Sequence, residues 1–573
     1  MLDVVIRGGD VVDGTGAQRR RADVGIQGDR VVAIGELPGE AATVIDATGK
    51  VVTPGFIDVH THYDAQVFWD GDLTPSPLHG VTTALAGNCG FTIAPLSDDE
   101  RDGAYLMRML ARVEGMPLEA LRTGVPWNWK STAAYFDQIE GRLGINAGFM
   151  TGHSAIRRVA MGEEAVGRPA DADELDRMRR LLRDALDAGA IGFSSSWART
   201  HNDADGHMVP SRYATHEEIV ELCRVTGEFA GTSLEFIPMV GGAFEPWAMD
   251  LMADMSATAG RPLNWNVLTV NVANREASAQ RLEAGDVARA RGGKVIALLV
   301  PMGIGIRLSF ASGFVLDAIP GWEQAMLLPR DEKLKLFSDP AARKGLDEMT
   351  KRPDNTMRMV SDWSTKVIFD VVSPDNEQYR GRVVGDIARE QGREPWDVLC
   401  DIALADELRT SFGSLPPGDT REDWEARIEL ARDPRTVIGA SDAGAHLDMI
   451  ATFNYSTVML ENAVRRHELL SLEEAVHLLT DVQARLYGLR DRGRVAEGWY
   501  ADLVVLDPAT VGSQEVAMRF DLPQGAGRLY AGSNGIDHVI VNGTPVVSDG
   551  ALTGARRGTL LRSGRDTVTP SLD

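Results

Sequence analysis

GFIDVHTHYD, residues Gly55 to Asp64, sets two histidines two apart at the end of an apolar run that follows Pro54. Histidine is scarce elsewhere, with 11 in 573 residues. Side chains at i and i+2 of a β-strand point to the same side, so FIDVHTH read as a strand puts His60 and His62 on one face, close enough to share an ion. Two polar residues at an ordinary strand end would give the same local pattern, and the rest of the chain has to separate the two readings.

Outward from this stretch, residues 55–484 alternate strand and helix. GFIDVHTH, GVTTALAGNCG, NAGFMTGH, AIGFSSSW, TSLEFIPMV, PLNWNVLTV, KVIALLVPM and RTVIGASDAG read as strands. Apolar residues at three and four spacing in DADELDRMRRLLRDALDAG (171–189) and HEEIVELCRVTGEFAG (216–231) predict helices between them. Eight strands with intervening helices predict an α/β fold of the TIM-like (β/α)8 barrel type. Residues from about 302 to 433 exceed one crossover and are read as a large insertion near the barrel mouth, with MGIGIRLSFASGF and SPDNEQYRGR as loop-like pieces and a lid as one role. The two ends share another texture, short alternating strands and Gly/Asp turns, with a hairpin signal at Asn542-Gly543. Residues 1–54 and 485–573, including RRGTLLRS, are therefore expected to form one small β-sandwich domain around the inserted barrel.

Composition narrows the function. A net charge of −24 and the lack of a Lys/Arg stripe argue against nucleic acid. No apolar stretch approaches the length needed to span a bilayer and the N-terminus lacks signal-peptide order, so a cytoplasmic chain with a small-molecule substrate and no membrane partner is expected, with a homo-oligomer possible. Three cysteines make no disulfide framework. Cys223 and Cys400 fall in helical patterns that favour buried packing, whereas Cys89 in GNCG stands between glycines.

Active sites of such barrels lie at the carboxyl ends of the strands. There the sequence offers His60, His62 and Asp64 on strand one, Asn88 and Cys89 on strand two, His153 and Arg157 in TGHSAIR on strand three, and Asp442 and His446 in GASDAGAH on strand eight. Two histidines and a carboxylate recur as ligands of a hydrolytic divalent metal, and a carboxylate beside the ion can take a proton and return it. Asp442 suits both tasks, though it could instead cap the next helix. His201, Asp203, Asp205 and His207 in SSSWARTHNDADGHM could bind a metal, but a solvated loop face is the favoured reading. His79 is expected to be structural at the opposite end of the barrel.

Taken together, TPGFIDVHTHYD, GVTTALAGNCGFTIAPL, GHSAIRRVAMG, GASDAGAH and the terminal GRVAEGWYADLVVLDP, GIDHVIVNG and TGARRGTLLR segments resemble the amidohydrolase superfamily, in particular its N-acyl-D-amino-acid deacylase (D-aminoacylase) branch. The resemblance implies a metal-dependent amide hydrolase with a TIM-like barrel and a β-sandwich from both termini. It maps metal ligation onto His60, His62 and Asp442, puts Cys89 in the place of the carboxylated lysine of other members, and gives His153 and Arg157 substrate contact.

The pattern breaks on strands five and six. Deacylases carry a metal-binding histidine at the end of each, yet GTSLEFIPMV and PLNWNVLTVN contain none, and no histidine lies between His216 and His446. Glu235, Asn264 and Asn266 stand there instead. One zinc per subunit is expected, held by His60, His62 and Asp442 with Cys89 and Glu235 as further contributors. Glu235, Asn264 and Asn266 can alternatively hydrogen-bond substrate, as can His446. The expected reaction is hydrolysis of a non-peptide amide, in an N-acyl amino acid or related N-acyl compound, with Asp442 as general base and acid. Alternatives are cyclic amide, ester or decarboxylation chemistry on the same mononuclear site, or an inactive barrel used for binding.

Overall fold

Sequence texture changes at Pro54 because the chain passes there from one sheet into another. The computed structural model describes all residues except 240, 241, 314, 356, 359, 416, 417 and 573. Both ends of the chain contribute to one nine-stranded sheet, joined where Val51–Pro54 pairs antiparallel with Leu503–Leu506. Arg20–Gln27 and Arg30–Gly35 extend it on one side, and Ile536–Val541, Thr544–Ser548 and Ala551–Leu552 on the other. The expected Asn542-Gly543 hairpin is present, both residues having positive φ.

The strands are not all antiparallel: Leu2–Val11 runs parallel to Ala41–Asp46 and to Val51–Pro54. It pairs with the first of these through residues 2–7 and with the second through Asp10 and Val11, and between the two its antiparallel pairing with Arg20–Gln27 slips register, from Ile6 to Gly9. Gly8 takes φ +70° there, and a Cβ on Gly9 would lie 2.8 Å from the Val52 side chain, so the slip needs glycine.

Each of the eight predicted strand segments contains a parallel strand, and these lie in sequence order. Phe56–Asp58, Val81–Ala86 and Asn146–Phe149 form one sheet. Thr151–Gly152, Gly192–Ser196, Ser233–Ile237, Leu263–Leu268, Val295–Leu299 and Thr436–Ile438 form the other, and the third strand, interrupted at Met150, belongs to both. The eighth strand meets the first through a bridge between Thr61 and Ala443, where the His62 N–H donates to the Ala443 carbonyl at 2.7 Å. Leu560–Leu561 in RRGTLLRS corrects the reading of that segment: it leaves the terminal sheet and pairs parallel with Ala147 and Gly148 at the foot of the third strand.

Helices follow the apolar spacing. Ala172–Asp187 buries Met178, Leu182, Ala185 and Leu186, and Asp171 and Glu174 close a reciprocal cap at its start. His216–Gly227 starts at Thr215, whose hydroxyl accepts from the Glu218 N–H. Cys223 and Cys400 are buried in helices, as expected.

The insertion has its own core. Ile306–Leu308, Val367–Asp370 and Ser411–Ser414 make a three-stranded antiparallel sheet, packed with helices around Phe310, Trp322, Phe337, Trp363, Trp396 and Phe412. MGIGIRLSFASGF is thus partly strand. Its apolar residues carry only a short alternation, too brief to distinguish from a loop by pattern alone. Arg421–Ala431, which the insertion was expected to include, instead buries Trp424 and Ile428 in the main core and leads into the eighth strand. No helix among the described residues is long and apolar enough to cross a membrane.

Candidate active site and metal centre

The first strand ends at Asp58, and His60 and His62 follow it at the mouth of the parallel array, both buried. Their rings lie 5.2 Å apart, nearly perpendicular. Asp442 arrives from the end of the eighth strand, with Oδ1 3.2 Å from His60 Nε2 and 3.7 Å from His62 Nε2. Cys89 arrives from the second, with Sγ 3.5 Å from His60 Nε2. One donor atom each from His60, His62 and Cys89 falls within 4.8 Å of the others.

Local backbone explains why these side chains converge. Cys89, Asp442 and His446 all take positive φ, at 57°, 50° and 47°. Such conformations are costly for side-chain-bearing residues and cluster where a site demands them. Gly87 and Gly90 flank Cys89 because the loop runs against its neighbours: a Cβ on Gly87 would lie 2.7 Å from the Met150 carbonyl.

Glu235 and Asn266 sit against this cluster in different ways. The Cys89 N–H donates to Glu235 Oε2 at 2.7 Å, so one oxygen of the carboxylate fixes the cysteine backbone. Asn266 Nδ2 lies 3.3 Å from His60 Nε2 and 3.4 Å from Cys89 Sγ. Asn264, expected beside substrate, is instead one layer deeper in register with Glu235. Its amide donates to the Leu234 carbonyl at 3.1 Å and the Tyr487 hydroxyl at 2.7 Å.

His153 and Arg157 are committed elsewhere. His153 shares hydrogen bonds with Ser195 Oγ at 2.8 Å and Glu218 Oε1 at 2.9 Å. Arg157, fully buried, donates to both oxygens of Glu218 and to the Arg168 carbonyl. Burial pushes the Glu218 carboxyl up, but His153 and Arg157 together hold it below its ordinary value. This corrects the expectation that the pair faces substrate: the downstream arginine points into the helix layer, where Glu218 needs a countercharge. Glu218→Ala, which strands Arg157 in the interior, should lower unfolding stability by about 3–5 kcal/mol, read from the urea midpoint. A substrate role for Arg157 would instead raise KM and leave that midpoint in place.

The structure also brings in residues that the sequence reading passed over. Glu114, just past the helix Glu100–Val113, puts Oε1 3.6 Å from His62 Nδ1 and Oε2 3.9 Å from His446 Nε2. Asp58 accepts from the Ser441 hydroxyl at 2.6 Å beneath His60. His201, by contrast, is a candidate metal ligand from the sequence, and it holds Ser196 Oγ at 2.7 Å beside the Phe91 ring. Its companions are structural: Asp203 accepts from the Asp205 and His207 N–H groups, and Asp205 pairs with Arg108. His79 is buried between Thr457 and the Ala531 carbonyl, as expected of a structural residue.

Electrostatics fit a cation. Asp58, Asp64, Glu114, Glu235 and Asp442 crowd around the two imidazoles, and among the described residues no arginine or lysine bonds to any of them. Burial pushes Asp58 and Glu114 up to about 7 and Asp64 to about 6, with His62 pulling against it. Burial also raises Asp442, but His60 and His62 outweigh it and hold that carboxyl well below its usual range. His60 Nδ1, His62 Nδ1, Glu235 Oε1 and Asn266 Oδ1 are buried without a hydrogen-bond partner. Excess buried acid, unsatisfied donor atoms and a thiol beside two imidazoles are the setting a divalent ion requires, and the sulfur and nitrogen donors suit zinc.

Residues 43–547 match the amidohydrolase family. An N-acyl-D-glutamate deacylase of Alcaligenes xylosoxydans xylosoxydans is 31% identical, over 98% of this chain and 96% of its own length. Among solved structures, a D-aminoacylase studied for its binuclear metal centre, with one-metal activation and second-metal attenuation, superposes with TM-score 0.66 at 27% identity, covering 98% of this chain and 100% of that one. An N-acyl-D-glutamate deacylase of Bordetella bronchiseptica, in complex with zinc and a phosphonate mimic of the tetrahedral intermediate, superposes with TM-score 0.65 at 25% identity and the same coverage.

Proposed function

Since the chain belongs to the amidohydrolase family, a hydrolase of carbon–nitrogen bonds other than peptide bonds, we propose that it cleaves the amide of an N-acyl amino acid or a related N-acyl compound. The observation that carries this reading is the meeting of His60, His62 and Cys89 within 4.8 Å, with Asp442 against both imidazoles. We read the parallel array as a (β/α)8 barrel closed through Thr61 and Ala443, with this cluster at its mouth.

His60, His62, Asp442 and Cys89 would hold one zinc ion. A zinc ion supplies Lewis acidity, lowering the pKa of water and polarising a carbonyl. A single ion is favoured because Asn266 offers only an amide and Glu235 has one oxygen taken by the Cys89 N–H, where the resembling deacylases place imidazoles; the other oxygen of Glu235 is left as a further contributor to that ion.

Asp442 is the group of the cluster with an open side: its side chain is 25% exposed, against 0% and 2% for His60 and His62. It accepts a proton from the water that attacks the acyl carbon. It then delivers that proton to the departing nitrogen as the C–N bond breaks, leaving a carboxylic acid and an amine, which part as carboxylate and ammonium once the acid's proton passes to the amine. Glu114, between His62 and His446, supplies negative charge to both rings. His446, partly exposed at the rim, contacts the substrate.

The test is a panel of N-acyl-D- and N-acyl-L-amino acids, cyclic imides and aryl amides with zinc-loaded, chelated and zinc-restored protein. Hydrolysis of an N-acyl amino acid that vanishes on chelation and returns with zinc is expected. Full activity in chelated protein would refute the reading, and turnover of cyclic imides alone would move the substrate class.

A further inference from the structure

The helix Glu100–Val113, the insertion and the C-terminal segment line an open cavity of about 620 Å³, within the range of about 300–1,000 Å³ that takes a small-molecule ligand. One wall of it backs onto His446 of the candidate active site. Gly115, in its wall, takes φ +56°, and a Cβ there would lie 3.2 Å from His446 Cα and 3.5 Å from His446 Nδ1. The preceding residue is Glu114, 3.6 Å from His62. Asp448, two residues past His446, lines the same cavity.

The walls are largely carbon. Ala111 and Met116 come from the helix side, Met326 and Leu327 from the insertion, and Met518 and Phe520 from the C-terminal segment. Leu327 and Phe520 are 56% and 44% exposed, large apolar side chains left uncovered in the free protein. Four arginines also reach the cavity, which would ordinarily suggest an anion. Each already holds a carboxylate: Arg108 holds Asp205, Arg112 holds Asp317, and Arg330 and Arg409 share Glu407. Arg409 in addition lies over the Phe520 ring. Bringing a substrate carboxylate inside would set it beside Asp317 and Asp448, so the chemistry favours an uncharged apolar group.

We propose that this cavity binds the acyl group of the substrate, and that the group is an alkyl or arylalkyl chain much longer than acetyl. The assignment rests on the amide-hydrolase reading above. Of the two sides of an N-acyl amino acid's scissile bond, the amine side carries a carboxylate, whereas the acyl side can be wholly apolar. The acyl side therefore matches the cavity.

Two measurements test the proposal. In a series from N-acetyl to N-decanoyl on one amino acid, kcat/KM of the zinc-loaded enzyme should rise about two- to fourfold per methylene, and Ala111→Trp or Ala526→Trp should flatten the decanoyl-to-acetyl ratio at least tenfold. Separately, octanamide titrated calorimetrically into the same protein should bind saturably and far more tightly than acetamide, and each tryptophan should weaken it at least tenfold. Leu327→Glu, at an exposed position, guards against misfolding of the other two and should weaken octanamide in the same direction. A flat chain-length series, or octanamide binding that equals acetamide binding or ignores all three substitutions, overturns the assignment. Octanamide binding that responds to the substitutions, with no N-acyl amino acid hydrolysed, would retain the cavity and refute the reaction.

Discussion

Asp442→Asn should lower kcat for amide hydrolysis by about 10²–10⁴-fold, the usual contribution of a general acid–base group, with the fold retained. Asparagine preserves the shape of the side chain and is among the few residues that accept left-handed backbone, so the φ of 50° at this position does not oppose the exchange. What it removes is the proton acceptor lying 3.2 Å from His60 and open to the mouth. At saturating zinc the loss should fall on kcat more than on KM, because the proton is transferred only on the way to the transition state. Steady-state kinetics beside a circular dichroism spectrum checks this. A variant keeping more than about a tenth of wild-type kcat would transfer the role to another group.

His60→Ala should weaken zinc binding by more than about a hundredfold, since even residues that merely orient a ligand cost about 10–100-fold, and activity at stoichiometric zinc should disappear with it. His60 is the hub of the cluster: its Nε2 lies within 3.5 Å of Asp442, Cys89 and Asn266 alike. Competition with a chromogenic chelator measures the affinity without reference to turnover. Unchanged affinity would remove His60 from the ligand set.

How much of this could be read in the sequence depends on where each residue lies relative to a strand end. His60, His62, Cys89 and Asp442 sit in short motifs directly after predicted strands, so the rule that active sites lie at the carboxyl ends of strands singles them out from sequence alone. Glu114 gives no such signal. It follows a helix in MLARVEGMP and reaches the site only because that helix packs across the mouth. Glu218 was hidden by a local explanation: three residues after Thr215 it looks like part of a helix cap, and its side chain turns inward to Arg157 and His153. For Glu235, Asn264 and Asn266 the alternation gives the inward face but not the height along the strand. Height separates Asn266, beside Cys89, from Asn264, a layer below beside Tyr487. Leu560–Leu561 shows the same limit for the fold, since a two-residue strand records nothing of which sheet it will join.

Anomalous diffraction from crystals grown with zinc, recorded on both sides of its absorption edge, tests the central claim most directly. One peak per chain at bonding distance, about 2.0–2.3 Å, from His60, His62, Asp442 and Cys89 is the expected result. A zinc-soaked crystal with those four side chains ordered and no peak among them would contradict it.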